Sequence, residues 1–62
     1  SRYYLELRLQ RARQLLLETN HSIVQVGLMC GFSSGSHFST AFGALFGNTP
    51  REERQRKLML SL

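Results

Sequence analysis

Ser36, Thr40 and Gly43 recur at spacings of four and three residues, with His37 and Ser39 beside them. Residues three and four apart share a helix face. Such a face is small and polar, and its hydroxyls can donate to or accept from a base edge. An ordinary solvated helix face is built from Lys, Glu and Arg, whereas Ser, Thr and Gly are poor helix formers. A helix with this shallow, uncharged surface is suited to lying deep in the major groove of duplex DNA. Other chemistry has less to stand on. Ser36 and His37 are sequence neighbours, and a catalytic nucleophile needs a base oriented by a third group. No acid lies between Thr19 and Pro50 to orient it, and the chain is not expected to be an enzyme. Cys30 falls on an apolar stripe and reads as a small buried hydrophobe. His21 reads as a loop or cap residue. Phe38, Phe42 and Phe46 could stack on bases, but their regular spacing is that of a core face. One cysteine and two distant histidines offer no zinc-ligand spacing. No metal or cofactor is expected.

The elements that carry this face can be read along the chain. Leu5, Leu9, Ala12 and Leu16 mark one stripe of a helix over residues 2–18. Tyr3, Tyr4 and Leu7 lie roughly opposite, so the first half of that helix is apolar on two sides. Arg8, Arg11 and Arg13 occupy the rest, either as a phosphate-binding surface or as a solvated face. Ser22 and Gln25 form a capping-box pair and open a second helix with Ile23, Val26, Gly27 and Cys30 on one stripe. Gly27 costs about 1 kcal/mol relative to Ala inside a helix, which makes sense if another helix crosses closely there. Gly31 ends this helix. Ser33 or Ser34 starts the third, with Phe38, Ala41, Phe42 and Leu45 inward and Phe46 beside them. Gly47 stops it. Thr49, Pro50 and Glu52 supply an N-cap, a first-turn proline and the acid of another capping box. The last helix is expected over 49–57, fraying after Lys57. Met59, Leu60 and Leu62 are apolar without a clear common face. The pattern is all-α, about four helices, with a helix-turn-helix at 22–46.

Sixty-two residues allow one domain at most, and a chain this short buries only about 60% of its unfolded surface. The net charge of +4 favours an anionic partner. Every Arg, Lys, Asp and Glu lies in residues 2–18 or 51–57, each segment with formal charge +2 (four bases against two acids). The uncharged middle implies weak affinity for DNA when the chain stands alone. No signal-peptide pattern or long apolar run is present, and a free cysteine fits a reducing compartment. A cytoplasmic location without membrane association is expected.

The string Gly31-Phe32-Ser33-Ser34-Gly35-Ser36-His37-Phe38-Ser39, then Ala41-Phe42, Phe46-Gly47 and Pro50, resembles the second helix-turn-helix of AraC/XylS-type bacterial transcription regulators. Arg2-Tyr3-Tyr4-Leu5, Leu7-Arg8-Leu9, Arg11-Ala12-Arg13 and Leu15-Leu16-Leu17 are similar to that family's linker helix. The style is nearest to members with an amidase-like N-terminal domain. The resemblance covers residues 2 to about 54. It implies a homeodomain-like fold with a long first helix, and sequence-specific binding of double-stranded DNA. Base reading then falls on Ser36 and Thr40, with Gly35, His37, Ser39 and Gly43 alongside. Phosphate contacts fall near Ser22, Asn48 and Thr49, and on Arg51, Arg54 and Arg13; helix N-termini attract phosphate without charged side chains. The chain, residues 1–62, would be a partial DNA-binding domain lacking the first helix-turn-helix and the effector domain. Tyr3, Tyr4 and Leu7 would face the missing motif, or let the fragment self-associate. The resemblance also implies a different use, contact with RNA polymerase or a partner regulator, and an uncharged third helix suits protein as well as DNA. The chain departs from the family pattern at Thr40, Gly43 and Ala44, where basic residues are common, at Met29, usually small, and at Glu53, usually Tyr.

Overall fold

The computed structural model describes residues 2–60. They form four helices: α1 (Arg2–Glu18), α2 (Ile23–Met29), α3 (Gly35–Phe46) and α4 (Pro50–Leu60). The all-α class expected from the pattern is the one observed. α4 runs on past Lys57 to Leu60 because it lies along the end of α1, with Leu58 sharing a surface depression with Leu16 and Leu17. Leu62 and the side chain of Leu60 lie outside the described residues.

Local chemistry sets most of the helix boundaries. The Ser22 hydroxyl accepts from the Gln25 amide, and the Gln25 side chain accepts from the Ser22 amide, each at 3.1 Å. The other end of α2 closes as a Schellman turn. Gly31, at φ +89°, donates to the Leu28 carbonyl, and Phe32 donates to the Gly27 carbonyl at 3.0 Å. Ser34 caps α3 through the His37 amide, and Gly47, left-handed at φ +81°, ends it. Thr49 and Glu52 exchange amide bonds at 3.1 and 2.8 Å across the start of α4.

The core gathers Leu9, Ala12 and Leu16 of α1, Val26 of α2, and Phe38 and Phe42 of α3. Cys30 and Phe32 are also buried, and Ile23, Ala41, Leu45 and Phe46 pack around the edge. Phe32 belongs to the Schellman turn yet is as buried as a helix residue, and helical periodicity gave no reason to place it in the core. Gly27 is where α3 crosses α2. A Cβ there would sit 2.9 Å from both Cβ and Cδ2 of Phe38, closer than carbon atoms approach.

Candidate nucleic-acid interface

Burial of Phe38 and Phe42 turns the opposite side of α3 outward. Ser36, His37 and Thr40 are exposed there; Gly35, Ser39 and Gly43 are half-buried along the same side or its margins. The two ends of this face are bracketed by other elements. A Cβ on Gly35 would meet Val24 of α2 at 3.3 Å, and one on Gly43 would meet the Asn48 carbonyl at 4.0 Å. The start of α2 therefore adjoins the beginning of α3, and the turn into α4 adjoins its end. The His37 imidazole is supported from within: its ring meets Phe32 edge-on, with centroids 5.4 Å apart.

The residues expected at phosphate are mostly engaged inside the protein. The Ser22 and Thr49 side chains and amides are spent in their capping boxes. Asn48 donates through Nδ2 to Glu53 at 2.9 Å. Arg54 reaches back to α1, where Nε donates to the Leu16 carbonyl at 3.1 Å and Nη2 to the Thr19 carbonyl at 3.2 Å. Arg13 pairs with Glu53 at 3.5 Å and covers the Phe46 ring at 5.5 Å. Arg51 is exposed. Proximity explains this: Ser22, Thr49 and Arg54 meet backbone groups left open at helix ends, while Asn48 and Arg13 converge on the buried Glu53 carboxylate. Arg8, read as part of a phosphate-binding surface or of a solvated face, is half-buried and engaged within the protein. Its Nε donates to the Cys30 carbonyl at 2.8 Å and its guanidinium lies over Phe32.

Glu53 is the buried charge of the domain, only 4% exposed. The Asn48 hydrogen bond holds its carboxyl below the ordinary value of 4.5, helped by Arg13 and Arg56 and opposed by burial. A folded-state value below the unfolded one means that the contribution is complete above the ordinary value and is lost as pH falls through the folded one. Glu53→Gln is expected to cost about 1–3 kcal/mol at pH 7 and to flatten the acid side of the stability profile. Urea melts from pH 7 down to pH 3 check this; an unchanged acid limb would remove Glu53 from the network. Burial pushes the Cys30 thiol up, against the pull of Arg11 and Arg8, which suits a packing residue rather than a nucleophile. His21 is exposed in the loop before α2.

A family model described as a helix-turn-helix domain matches residues 1–56. A solved transcriptional regulator from Chromobacterium violaceum, with an AraC-type DNA-binding domain, matches with a TM-score of 0.90 and 65% identity. The chain belongs to the AraC-type helix-turn-helix family. The match to the solved AraC-type protein covers 92% of this chain and 51% of that one. The transcriptional regulator ArgR of Pseudomonas aeruginosa is 63% identical over 57 residues, covering 92% of this chain and 17% of ArgR. GbdR of the same species is 58% identical over 55 residues, 89% of this chain and 15% of GbdR. The activator RhaS of Escherichia fergusonii is 46% identical over 54 residues, 87% of this chain and 19% of RhaS. The chain thus spans less than a fifth of these curated relatives. All three are transcriptional regulators and none is named as an enzyme. Glu53, a buried carboxylate, joins Asn48 to Arg13 and so ties the start of the last helix to α1, beside the Arg54 bonds to Leu16 and Thr19.

Proposed function

We propose that this AraC-type motif binds double-stranded DNA by laying α3 in the major groove, as part of the DNA-binding domain of a bacterial transcription regulator. The observation that carries the reading is the outward, uncharged side of α3, set on a helix whose other side is the aromatic core. Ser36 and Thr40 read bases, with Gly35, His37, Ser39 and Gly43 shaping the contact. Arg51 supplies a cation, and the helix starts near Ser22 and Thr49 supply the remaining polarity. The complete protein would add a first helix-turn-helix and an effector domain, and would act in the cytoplasm. No helix among the described residues is long and apolar enough to cross a membrane.

Few cations flank α3, so about 2–4 phosphates would be neutralised and log K should fall against log salt with a slope of roughly −2 to −4. Fluorescence anisotropy on a labelled duplex measures it. A slope steeper than about −6 would require a larger basic surface than this reading provides.

A second reading, contact with RNA polymerase or a partner regulator, draws on the outer side of α2. Val24, Leu28 and Met29 are all more than half exposed there. Binding to polymerase subunits without DNA would favour it. Tyr3 and Leu7 on α1 are 71% and 45% exposed, and burying such side chains is worth about 1.5–3 kcal/mol each. With Tyr4 beside them, they are expected to draw two copies of the chain together at high concentration. Light scattering should show dimers that a Tyr3→Ser, Leu7→Ser variant does not form; a wild type that stays monomeric at millimolar concentration removes this contact.

A further inference from the structure

A run of ring and cation contacts leads from α1 to the proposed reading face. Arg8 stands at its centre. Its guanidinium lies 4.5 Å from the Phe32 ring centroid and 5.7 Å from that of Tyr4. In the same position its Nε holds the Cys30 carbonyl in the turn between α2 and α3. The fit is close: a Cβ on Gly31 would lie 2.8 Å from Arg8 Nη2. Phe32, 2% exposed, is held between Arg8, the Phe38 ring at 5.3 Å and the His37 ring at 5.4 Å. His37 stands exposed on the first turn of α3, and its other contact is a long one, 3.4 Å from Nδ1 to Ser33 Oγ.

We propose that Arg8 is a positioning residue for base recognition, acting through Phe32 to set the direction of the His37 imidazole. The proposal rests on the reading of α3 given above and assigns its His37 contact to a residue on another helix. A surface imidazole without support moves among its staggered rotamers, and a base-edge hydrogen bond tolerates little misalignment. The edge of a buried ring restricts those rotamers only while the ring itself is fixed. A guanidinium can stack on the ring and donate in its own plane at once; an ammonium is a compact point charge on a flexible stem. Arg8→Lys therefore preserves the charge and can keep the Cys30 bond, but gives up the planar hold on Phe32.

The test selects preferred duplexes from a randomised pool at low ionic strength. Preferences at each base pair are then compared for the wild type, Arg8→Lys, His37→Ala and the double variant. Arg8→Lys is expected to lose roughly tenfold discrimination at the base pair that His37→Ala also affects. Preferences elsewhere and the salt slope should be unchanged, and the double variant should be no worse than His37→Ala. In parallel, the Phe32-induced ring-current shift of the His37 ring protons should collapse in Arg8→Lys. Loss spread evenly over every base pair, a salt slope shallower by about one, or a profile identical to the wild type would overturn the proposal. If His37→Ala changes no position, the proposal falls because His37 reads no base; a collapsed ring shift in that case leaves the Arg8–Phe32–His37 geometry intact and locates the failure in the reading of the face. Thermal melts accompany each variant. Should Arg8→Lys not fold, Arg8→Gln, which retains a donor for Cys30 without a cation over Phe32, carries the same expectations.

Discussion

Phe42→Ala is expected to unfold the domain. Phe42 is completely buried, with Phe38 edge-on at 5.8 Å and Phe46 tilted against it at 4.6 Å. Truncating a buried aromatic removes its transfer free energy and leaves a cavity, together about 3–5 kcal/mol. A domain below about 70 residues rarely holds more than roughly 3–5 kcal/mol in total. The loss therefore equals the whole stability rather than a share of it. Far-UV circular dichroism in a urea titration should show no folded baseline for the variant at 25 °C. A cooperative melt destabilised by less than about 1 kcal/mol would mean that α3 is not the element on which the others pack.

Gly27→Leu is expected to have the second largest effect, about 3 kcal/mol. Two opposed terms decide its sign. Replacing a helical glycine gains about 1 kcal/mol in backbone propensity. Against this, the new Cβ would lie 2.9 Å from Cβ and Cδ2 of Phe38. These atoms belong to the root and ring of a completely buried side chain, so they cannot swing aside as the tip of a lysine would. α3 has to move away from α2, and the overpacking term outweighs the propensity gain. Gly27→Ala should show the same competition at smaller scale. The measurement is the urea midpoint of both variants. If alanine proves more stable than glycine, the crossing is looser than the Gly27–Phe38 distance implies.

The parts of the fold that were legible in advance are those whose partners lie within one or two helical turns. Ser22 with Gln25, Ser34 with His37, and Thr49 with Glu52 each complete a cap three residues apart, so a reader of the chain sees both members together. The apolar face of α3 was equally plain, because Phe38 and Phe42 repeat with the helix. Arg8, Arg13 and Arg54 were opaque for the opposite reason. A guanidinium can serve phosphate, carboxylate, carbonyl or aromatic ring with the same atoms. Their partners Cys30, Glu53 and Leu16 are 22, 40 and 38 positions away, and nothing local chooses among the uses. Phe32 was missed because it follows the glycine that ends α2, outside either helical period. Glu53 was visible as a departure from the AraC-type pattern, but only its burial beside Asn48 and Arg13 gives that departure a physical meaning. The outward stripe of α3 follows directly from the inward one, since burying Phe38 and Phe42 leaves Ser36 and Thr40 on the opposite side.

The bond from Arg54 to the end of α1 also bears on how the chain is made. The Leu16 and Thr19 carbonyls receive their partner from a residue 38 and 35 positions later, whereas the starts of α2, α3 and α4 are closed by residues three positions away. At a synthesis rate of about 5–20 residues per second, Arg54 follows Leu16 and Thr19 by roughly 2–8 s. During that interval the later helices can begin with their own caps, while the carbonyl end of α1 remains hydrated. The carbonyl end of α1 thus gains these partners only once Arg54 has been made, and a nascent chain halted before Arg54 would leave the Leu16 and Thr19 carbonyls to water and the turn after α1 more open to proteases than it is in the folded domain.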